Sequence, residues 1–74
     1  MCGILLKTFA SNLKKYRLEA GLSQEKLADL CELHRTYISD IERCKRNISL
    51  DNVQRIAEAI EIEPYKLLQN NADD

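Results

Sequence analysis

Residues 24–43, QEKLADLCELHRTYISDIER, decide the fold of this chain. Two short segments within them carry apolar side chains at the i, i+3, i+4 spacing of an amphipathic helix. The first segment has Leu27, Ala28, Leu30 and Cys31, and the second has Tyr37, Ile38 and Ile41. A break of about three residues separates the segments, which is the length of a tight helix–helix turn. The sequence therefore predicts two short helices joined by a turn.

Two helices joined in this way form a helix-turn-helix unit, and the second helix of such a unit fits the major groove of DNA. The remaining sequence also predicts helices, because only two Gly and one Pro interrupt it and no stretch alternates between apolar and polar residues. The predicted helices are 5–20, 24–31, 34–43, one that follows a Ser49 N-cap, and a short one that starts near Pro64. The apolar stripe of the fourth helix is Leu50, Val53, Ile56, Ala57 and Ile60. We expect an all-α fold with one domain over residues 1–74 and an ordered core at about 5–68.

Length and composition limit the class of protein. A chain of 74 residues has room for one domain. It contains no run of about 18 apolar residues and no signal-peptide pattern, so we expect a soluble, cytoplasmic protein that makes no membrane contact. Cys2, Cys31 and Cys44 are an odd number, and their spacing suggests no disulfide framework. Reduced thiols are therefore expected.

The charges are unevenly distributed along the chain. Eleven basic and twelve acidic residues give a net charge of −1, whereas many DNA-binding domains are strongly basic. Residues 1–55 hold ten basic and seven acidic groups, a net of +3, and residues 56–74 hold one basic and five acidic groups, a net of −4. The excess negative charge thus lies at one end of the chain, which is compatible with DNA binding through another face.

The outer face of the third predicted helix has side chains suited to base recognition. Arg35 can form a bidentate pair with guanine O6 and N7, Thr36 can contact a thymine methyl group, and Ser39 can bond to base edges of either class. We expect these three residues to contact bases. Asp40 lies on the same face, where its carboxylate would either accept from a cytosine N4 or hold a neighbouring arginine in place.

Residues that border this helix are candidates for contacts with the DNA backbone. Gln24 lies at the start of the second helix, where exposed backbone N–H groups also favour a phosphate. A polar link follows the third helix and can bind the backbone from the other side through Arg43, Lys45, Arg46 and Asn47.

These residues resemble the Cro/cI-type helix-turn-helix family, which has a compact five-helix, lambda-repressor-like DNA-binding domain. Ala28 matches the small residue between the two helices, and Leu33, Ile38 and Ile41 match the inner apolar positions. The resemblance covers roughly residues 9–68. Within it, the stretch LHRTYISDIER at 33–43, followed by Arg46 and Asn47, is most similar to the controller proteins of restriction-modification systems.

The resemblance implies a homodimer that binds a pseudo-palindromic operator and regulates its own promoter and an endonuclease gene. It places Arg35 and Thr36 on bases, and Tyr37, Arg46 and Asn47 on the backbone. It also pairs Arg17 with Glu42 as a structural contact. Two positions depart from the family pattern. Glu32 stands where the family most often has Gly or Asn, at a turn position that favours φ > 0, and Asp40 replaces a residue that is commonly small or uncharged.

Further contacts follow from the surface pattern. The C-terminal apolar residues could close the core or form a two-fold interface, and we expect Ile62, Tyr65 and Leu68 to form part of the dimer interface. Activation of transcription would require a contact with RNA polymerase, for which Glu25 and Asp29 on the second helix are the candidates.

The sequence gives no support for an enzyme or a cofactor. Cys31 and His34 have the spacing of half a zinc site, but no second tight ligand pair exists and Cys31 falls on an apolar helix face, so we expect no metal. His34 is the only histidine, and no catalytic Cys–His or Ser–His pair stands out. The alternatives to a controller are a phage-type repressor, an antitoxin DNA-binding protein, and a helical protein-interaction module that does not bind DNA.

Overall fold

The computed structural model describes residues 3–70, and these form five α-helices without a strand in that range. The helices are α1 (Ile4–Glu19), α2 (Gln24–Cys31), α3 (Arg35–Glu42), α4 (Leu50–Ile60) and α5 (Pro64–Leu68). The predicted all-α architecture is confirmed. The third helix is one residue shorter at each end than predicted, because His34 and Arg43 are its capping residues.

Side-chain caps explain where α2 and α4 begin. The Ser23 hydroxyl accepts from the backbone N–H of Lys26 at 3.0 Å, and the Ser49 hydroxyl accepts from that of Asn52 at 3.1 Å. Each hydroxyl satisfies an N–H group that has no partner within its helix. Pro64, whose fixed φ suits the first turn of a helix, begins α5.

Glu32 adopts the left-handed conformation that its position in the turn predicted, with φ 60° and ψ 40°. This conformation lets the Leu33 N–H donate to the Ala28 carbonyl at 2.9 Å, which closes the end of α2. A non-glycine residue in this region costs about 1–2 kcal/mol. The turn therefore keeps its usual shape at the cost of local strain. Cys44, two residues after α3, and Glu61, the residue after α4, have similar φ values of 60° and 64°.

One small core joins the helices. Ile38 and Ile41 of α3 are fully buried and belong to one core cluster that includes side chains from all five helices. The largest fully buried side chains are Phe9, Leu13, Leu27, Ile38, Ile41, Ile56 and Leu67. The apolar stripes that predicted the helices therefore form the core, with exceptions at Leu30 and Leu50, which are 50% and 81% exposed.

A buried asparagine attaches α5 to α1. The Asn12 side-chain amide lies within hydrogen-bond distance of three carbonyl oxygens at the end of α5, those of Lys66 at 3.3 Å, Leu67 at 2.9 Å and Gln69 at 2.9 Å. These carbonyls have no partners further along the helix, so the amide acts as a C-terminal cap. The C-terminal apolar residues are thereby held against the core.

The cysteines differ from the sequence expectation. Cys31 is free and buried, and its thiol donates to the Leu27 carbonyl at 3.1 Å. Burial away from water raises the pKa of the Cys31 thiol. Cys44 is disulfide-bonded, so the prediction that every thiol is reduced was wrong. Cys2 and residues 71–74, which lie beyond the predicted ordered core, are outside the described residues. No helix within residues 3–70 is long and apolar enough to span a membrane.

Candidate nucleic-acid interface

The orientation of α3 is fixed by its buried face. Ile38 and Ile41 are fully buried, as their helical spacing predicted, and Tyr37 is half-buried at the edge of the core. Burial of this face directs the opposite side of the helix away from the protein. The polar residues that sequence analysis singled out for base contacts lie on that opposite side.

A buried ion pair ties the end of α3 to α1. Arg17 Nε donates to Glu42 Oε2 at 2.7 Å and Arg17 Nη2 to Glu42 Oε1 at 3.1 Å, and the side chains are 8% and 4% exposed. Arg17 Nη1 also donates to the Leu22 carbonyl at 2.8 Å, and Gln24 Nε2 donates to Glu42 Oε1 at 3.0 Å. The pairing of Arg17 with Glu42 implied by the family resemblance is confirmed.

The network gives Gln24 a structural contact that the sequence did not predict. The sequence predicted a contact between this side chain and a DNA phosphate, whereas one of its amide protons points to the buried Glu42 carboxylate. Glu42 is 18 residues away along the chain, so helical periodicity carries no signal for the contact. The second amide proton of Gln24 remains compatible with a phosphate contact.

The candidate base-contacting residues lie on one exposed face of α3. Arg35 and Thr36 are exposed in the first turn, and Ser39 is half-buried one turn later. An arginine and two hydroxyls on a helix face can donate to and accept from base edges in the major groove. The structure thus brings together the three residues that the sequence indicated.

Asp40 contacts an arginine on the same face. Arg43 Nη2 donates to Asp40 Oδ1 at 2.9 Å across one turn, and the two side chains are 60% and 27% exposed. Of the two roles that the sequence left open for Asp40, the free protein shows the one in which it holds a neighbouring arginine. The pair orients the guanidinium of Arg43 and partly neutralises its charge.

The link between α3 and α4 presents further basic and polar groups. Lys45, Arg46 and Asn47 are exposed. The Arg46 guanidinium lies over the Tyr37 ring, with 5.1 Å between its central carbon and the ring centroid. This distance is within the range of a cation–π contact, which restricts the positions available to the arginine. Positive charge is therefore concentrated at the end of α3.

The described residues offer no alternative centre for metal chemistry. No group of three or more His, Cys, Asp and Glu side chains within residues 3–70 could hold a metal ion. Cys31 is buried on α2, and His34, which caps α3, is exposed. Cys31 and His34 were considered as half a zinc site because of their spacing. In the structure the Cys31 thiol lies in the core and the His34 imidazole lies at the surface.

Comparison with known proteins identifies the family. A helix-turn-helix family model matches residues 13–67, which include all of α2, α3 and α4. The chain belongs to this helix-turn-helix family. Its matched region contains the exposed face of α3, the basic link and the Arg17–Glu42 pair, so the site lies within the part of the fold that the family shares.

Relatives within the family include control proteins. The control protein C.BamHI of Bacillus amyloliquefaciens is 52% identical over 61 residues, covering 81% of this chain and 75% of that protein. The crystal structure of the restriction-modification controller protein C.AhdI from Aeromonas hydrophila has a TM-score of 0.81 and 45% identity, covering 84% of this chain and 94% of that one. A hypothetical transcription factor from Neisseria has a TM-score of 0.89 and 39% identity, covering 93% and 79%.

Substitution Glu42→Ala tests the importance of the buried ion pair. It leaves the Arg17 guanidinium buried without its carboxylate, and loss of one partner of a buried pair costs about 3–5 kcal/mol. We expect a decrease of this size in the free energy of unfolding, measured by urea denaturation with circular dichroism. The control is Glu58→Ala on the exposed face of α4, which should change the free energy by less than about 0.5 kcal/mol. Equal effects of the two substitutions would contradict a special role for Glu42.

Proposed function

We propose that the protein is a sequence-specific, double-stranded DNA-binding transcription regulator and that it controls a restriction-modification system. The observation that supports this best is the exposed face of α3, with Arg35, Thr36 and Ser39 on a helix that the Arg17–Glu42 pair ties to α1. The similarity to restriction-modification control proteins supports the biological role.

Base recognition is assigned to the exposed face of α3. Arg35 donates to guanine through its two parallel N–H groups, while Thr36 and Ser39 contact neighbouring bases. A good bidentate contact discriminates against the wrong base by about 1–3 kcal/mol. Because α3 is tied at its far end to α1 through Glu42, these side chains enter the groove from a fixed backbone.

Backbone recognition is assigned to the residues around the end of α3. Lys45, Arg46 and Asn47 are exposed there, and the Arg46 guanidinium lies over the Tyr37 ring. Arg43 contributes charge when its contact with Asp40 opens or when both groups reach the DNA together. Each phosphate neutralised adds about 0.9 to the slope of log affinity against log salt concentration.

We infer a dimer because each copy of the chain has one recognition helix, α3, whereas a pseudo-palindromic operator has two half-sites. Two copies related by a two-fold axis would place their α3 helices in successive major grooves, about 34 Å apart. Tyr65 is 60% exposed, while Ile62 and Leu68 are half-buried. Leu50 lines the same surface groove as Ile62 and Leu68. We assign the dimer interface to this apolar surface, with Leu50 as an addition to the predicted residues.

RNA polymerase is the proposed partner in activation. Glu25 and Asp29 are both exposed and lie one turn apart on α2, away from the buried Leu27 and Ala28. An acidic pair in this position can bind a basic surface of a protein on neighbouring DNA.

The test of base recognition begins with footprinting on the DNA upstream of the protein's own gene, which defines a binding duplex. Arg35→Ala should weaken binding to this duplex by about 1–3 kcal/mol and relax specificity at one base pair. The control Lys45→Ala should weaken binding to all duplexes similarly, because phosphates carry no sequence information. If the parent binds no duplex, or if Arg35→Ala binds as the parent does, the chain is better described as a protein-interaction module.

The dimer interface is tested by the double substitution Leu50→Asp with Tyr65→Asp. Both side chains are exposed in the monomer, so the variant should fold, and the added charges should prevent burial against a second copy. We expect it to sediment as a monomer at concentrations where the parent is a dimer. Leu18→Asp, at another exposed leucine, serves as the control and should leave the oligomeric state unchanged. A dimeric double variant would place the interface elsewhere.

The polymerase contact is tested by charge reversal of Glu25 and Asp29 to lysine. We expect the variant to bind the footprinted duplex at least as well as the parent, because added positive charge favours DNA. Transcription in vitro from the regulated promoter should lose its activation. Activation equal to that of the parent, with DNA fully occupied, would show that these residues do not contact the polymerase.

A further inference from the structure

Tyr37 lies where three parts of the chain meet. It projects from α3 and is half-buried, the Arg46 guanidinium of the link lies over its ring at 5.1 Å, and Asn52 of α4 contacts its hydroxyl. Asn52 Nδ2 donates to Tyr37 Oη at 2.9 Å. The Asn52 residue is itself fixed, because its backbone N–H donates to the Ser49 hydroxyl that caps α4. The tyrosine hydroxyl is therefore held between α3 and the first turn of α4.

The direction of this hydrogen bond determines what else the tyrosine can do. A phenol has one proton to donate, and an asparagine NH₂ group can only donate. When the NH₂ group of Asn52 donates to Tyr37, the hydroxyl proton is left for a second partner. Phosphate oxygens only accept, so a tyrosine in this arrangement is matched to a phosphate. If an acceptor replaced the Asn52 NH₂ group, the Tyr37 hydroxyl would donate its proton to that acceptor. The hydroxyl oxygen would then face the phosphate with no proton to donate.

We propose that Asn52 is a positioning residue that sets the hydrogen-bond direction of Tyr37, so that the tyrosine hydroxyl donates to a DNA phosphate. The inference rests on the proposed function, in which Tyr37 contacts the DNA backbone. Asn52 itself does not touch DNA in this scheme. It acts through Tyr37, while the contact of Arg46 with the ring keeps a positive charge beside the same phosphate.

The substitution that separates direction from packing is Asn52→Asp. It keeps the shape of the side chain but replaces the donating NH₂ group with an acceptor, which draws the Tyr37 proton inward. Asn52 is the third residue of α4, and a carboxylate in the first turn of a helix is favourable, so the variant should fold. Asn52→Ala is the companion variant, because it removes the donor without adding an acceptor or a charge.

The test is a double-mutant cycle with Tyr37→Phe, measured as affinity for the footprinted duplex by fluorescence anisotropy. We expect Tyr37→Phe alone to weaken binding about tenfold, the size expected for one hydrogen bond to a charged acceptor. Asn52→Asp should weaken binding more, because it loses the same contact and adds a charge that repels DNA. In the Tyr37→Phe background, the charge is the only remaining effect of Asn52→Asp. Its penalty should therefore be about tenfold smaller there than in the parent.

Three results decide the proposal. A penalty for Asn52→Asp that is equal in both backgrounds would overturn it, since the residues would then act independently. If Asn52→Ala weakens binding as much as Asn52→Asp, the role of Asn52 is packing and the proposal is also overturned. If Tyr37→Phe binds like the parent while Arg35→Ala is impaired, the Tyr37 phosphate contact and this inference fail, but DNA recognition by α3 stands.

A measurement without DNA checks the contact itself. The side-chain NH₂ group of Asn52 gives a pair of resonances in ¹⁵N-resolved NMR spectra of the free protein. Removal of the hydroxyl in Tyr37→Phe should shift them, because their hydrogen-bond acceptor is lost. Unchanged Asn52 resonances would overturn the inference independently of whether the protein binds DNA.

Discussion

The buried ion pair between Arg17 and Glu42 is the interaction on which the rest of the structure depends. Two parallel hydrogen bonds of 2.7 and 3.1 Å join α1 to the end of α3, and Arg17 also binds the Leu22 carbonyl in the segment before α2. Removing two charges from water is costly, so such a pair adds little net stability compared with apolar side chains of similar size. Its effect is geometric. The hydrogen bonds that the Arg17 guanidinium donates to Glu42 and Leu22 form together only when α3 has one placement against α1.

Fixing α3 in this way has a direct consequence for recognition. The protein has a core made largely of aliphatic side chains, and such cores tolerate several arrangements with similar burial. A recognition helix, however, must place its side chains with a precision of a fraction of an ångström to form directional bonds. Polar contacts at both ends of α3 fix the orientation of the helix, because hydrogen bonds are directional and apolar packing is not. These contacts join Glu42 to Arg17 and Tyr37 to Asn52.

The secondary structure and the exposed polar face of α3 followed from local patterns. The apolar spacing of Ile38 and Ile41 fixed which side of α3 is buried, and hence that Arg35 and Thr36 face outward. Glu32 was predicted to need φ > 0 from its turn position, and the backbone adopts it. The sequence did not predict the contacts of Gln24 and Asn52 or the exposure of Leu50. Each of these properties depends on residues that are distant in the chain. Leu50 fits the apolar stripe of α4 but lies at its N-terminal end, beyond the reach of the core.

The sequence by itself determined the helices, the buried stripes, the turn and the polar face of α3, because each depends on residues within one or two helical turns. The resemblance of particular residues to a known family added the Arg17–Glu42 pair. Only the tertiary structure decided which polar groups pair between helices, namely that Gln24 binds Glu42 and that Asn52 binds Tyr37. The physical reason is that hydrogen bonds depend on the distance and direction between atoms, which are set only when all the helices have packed together.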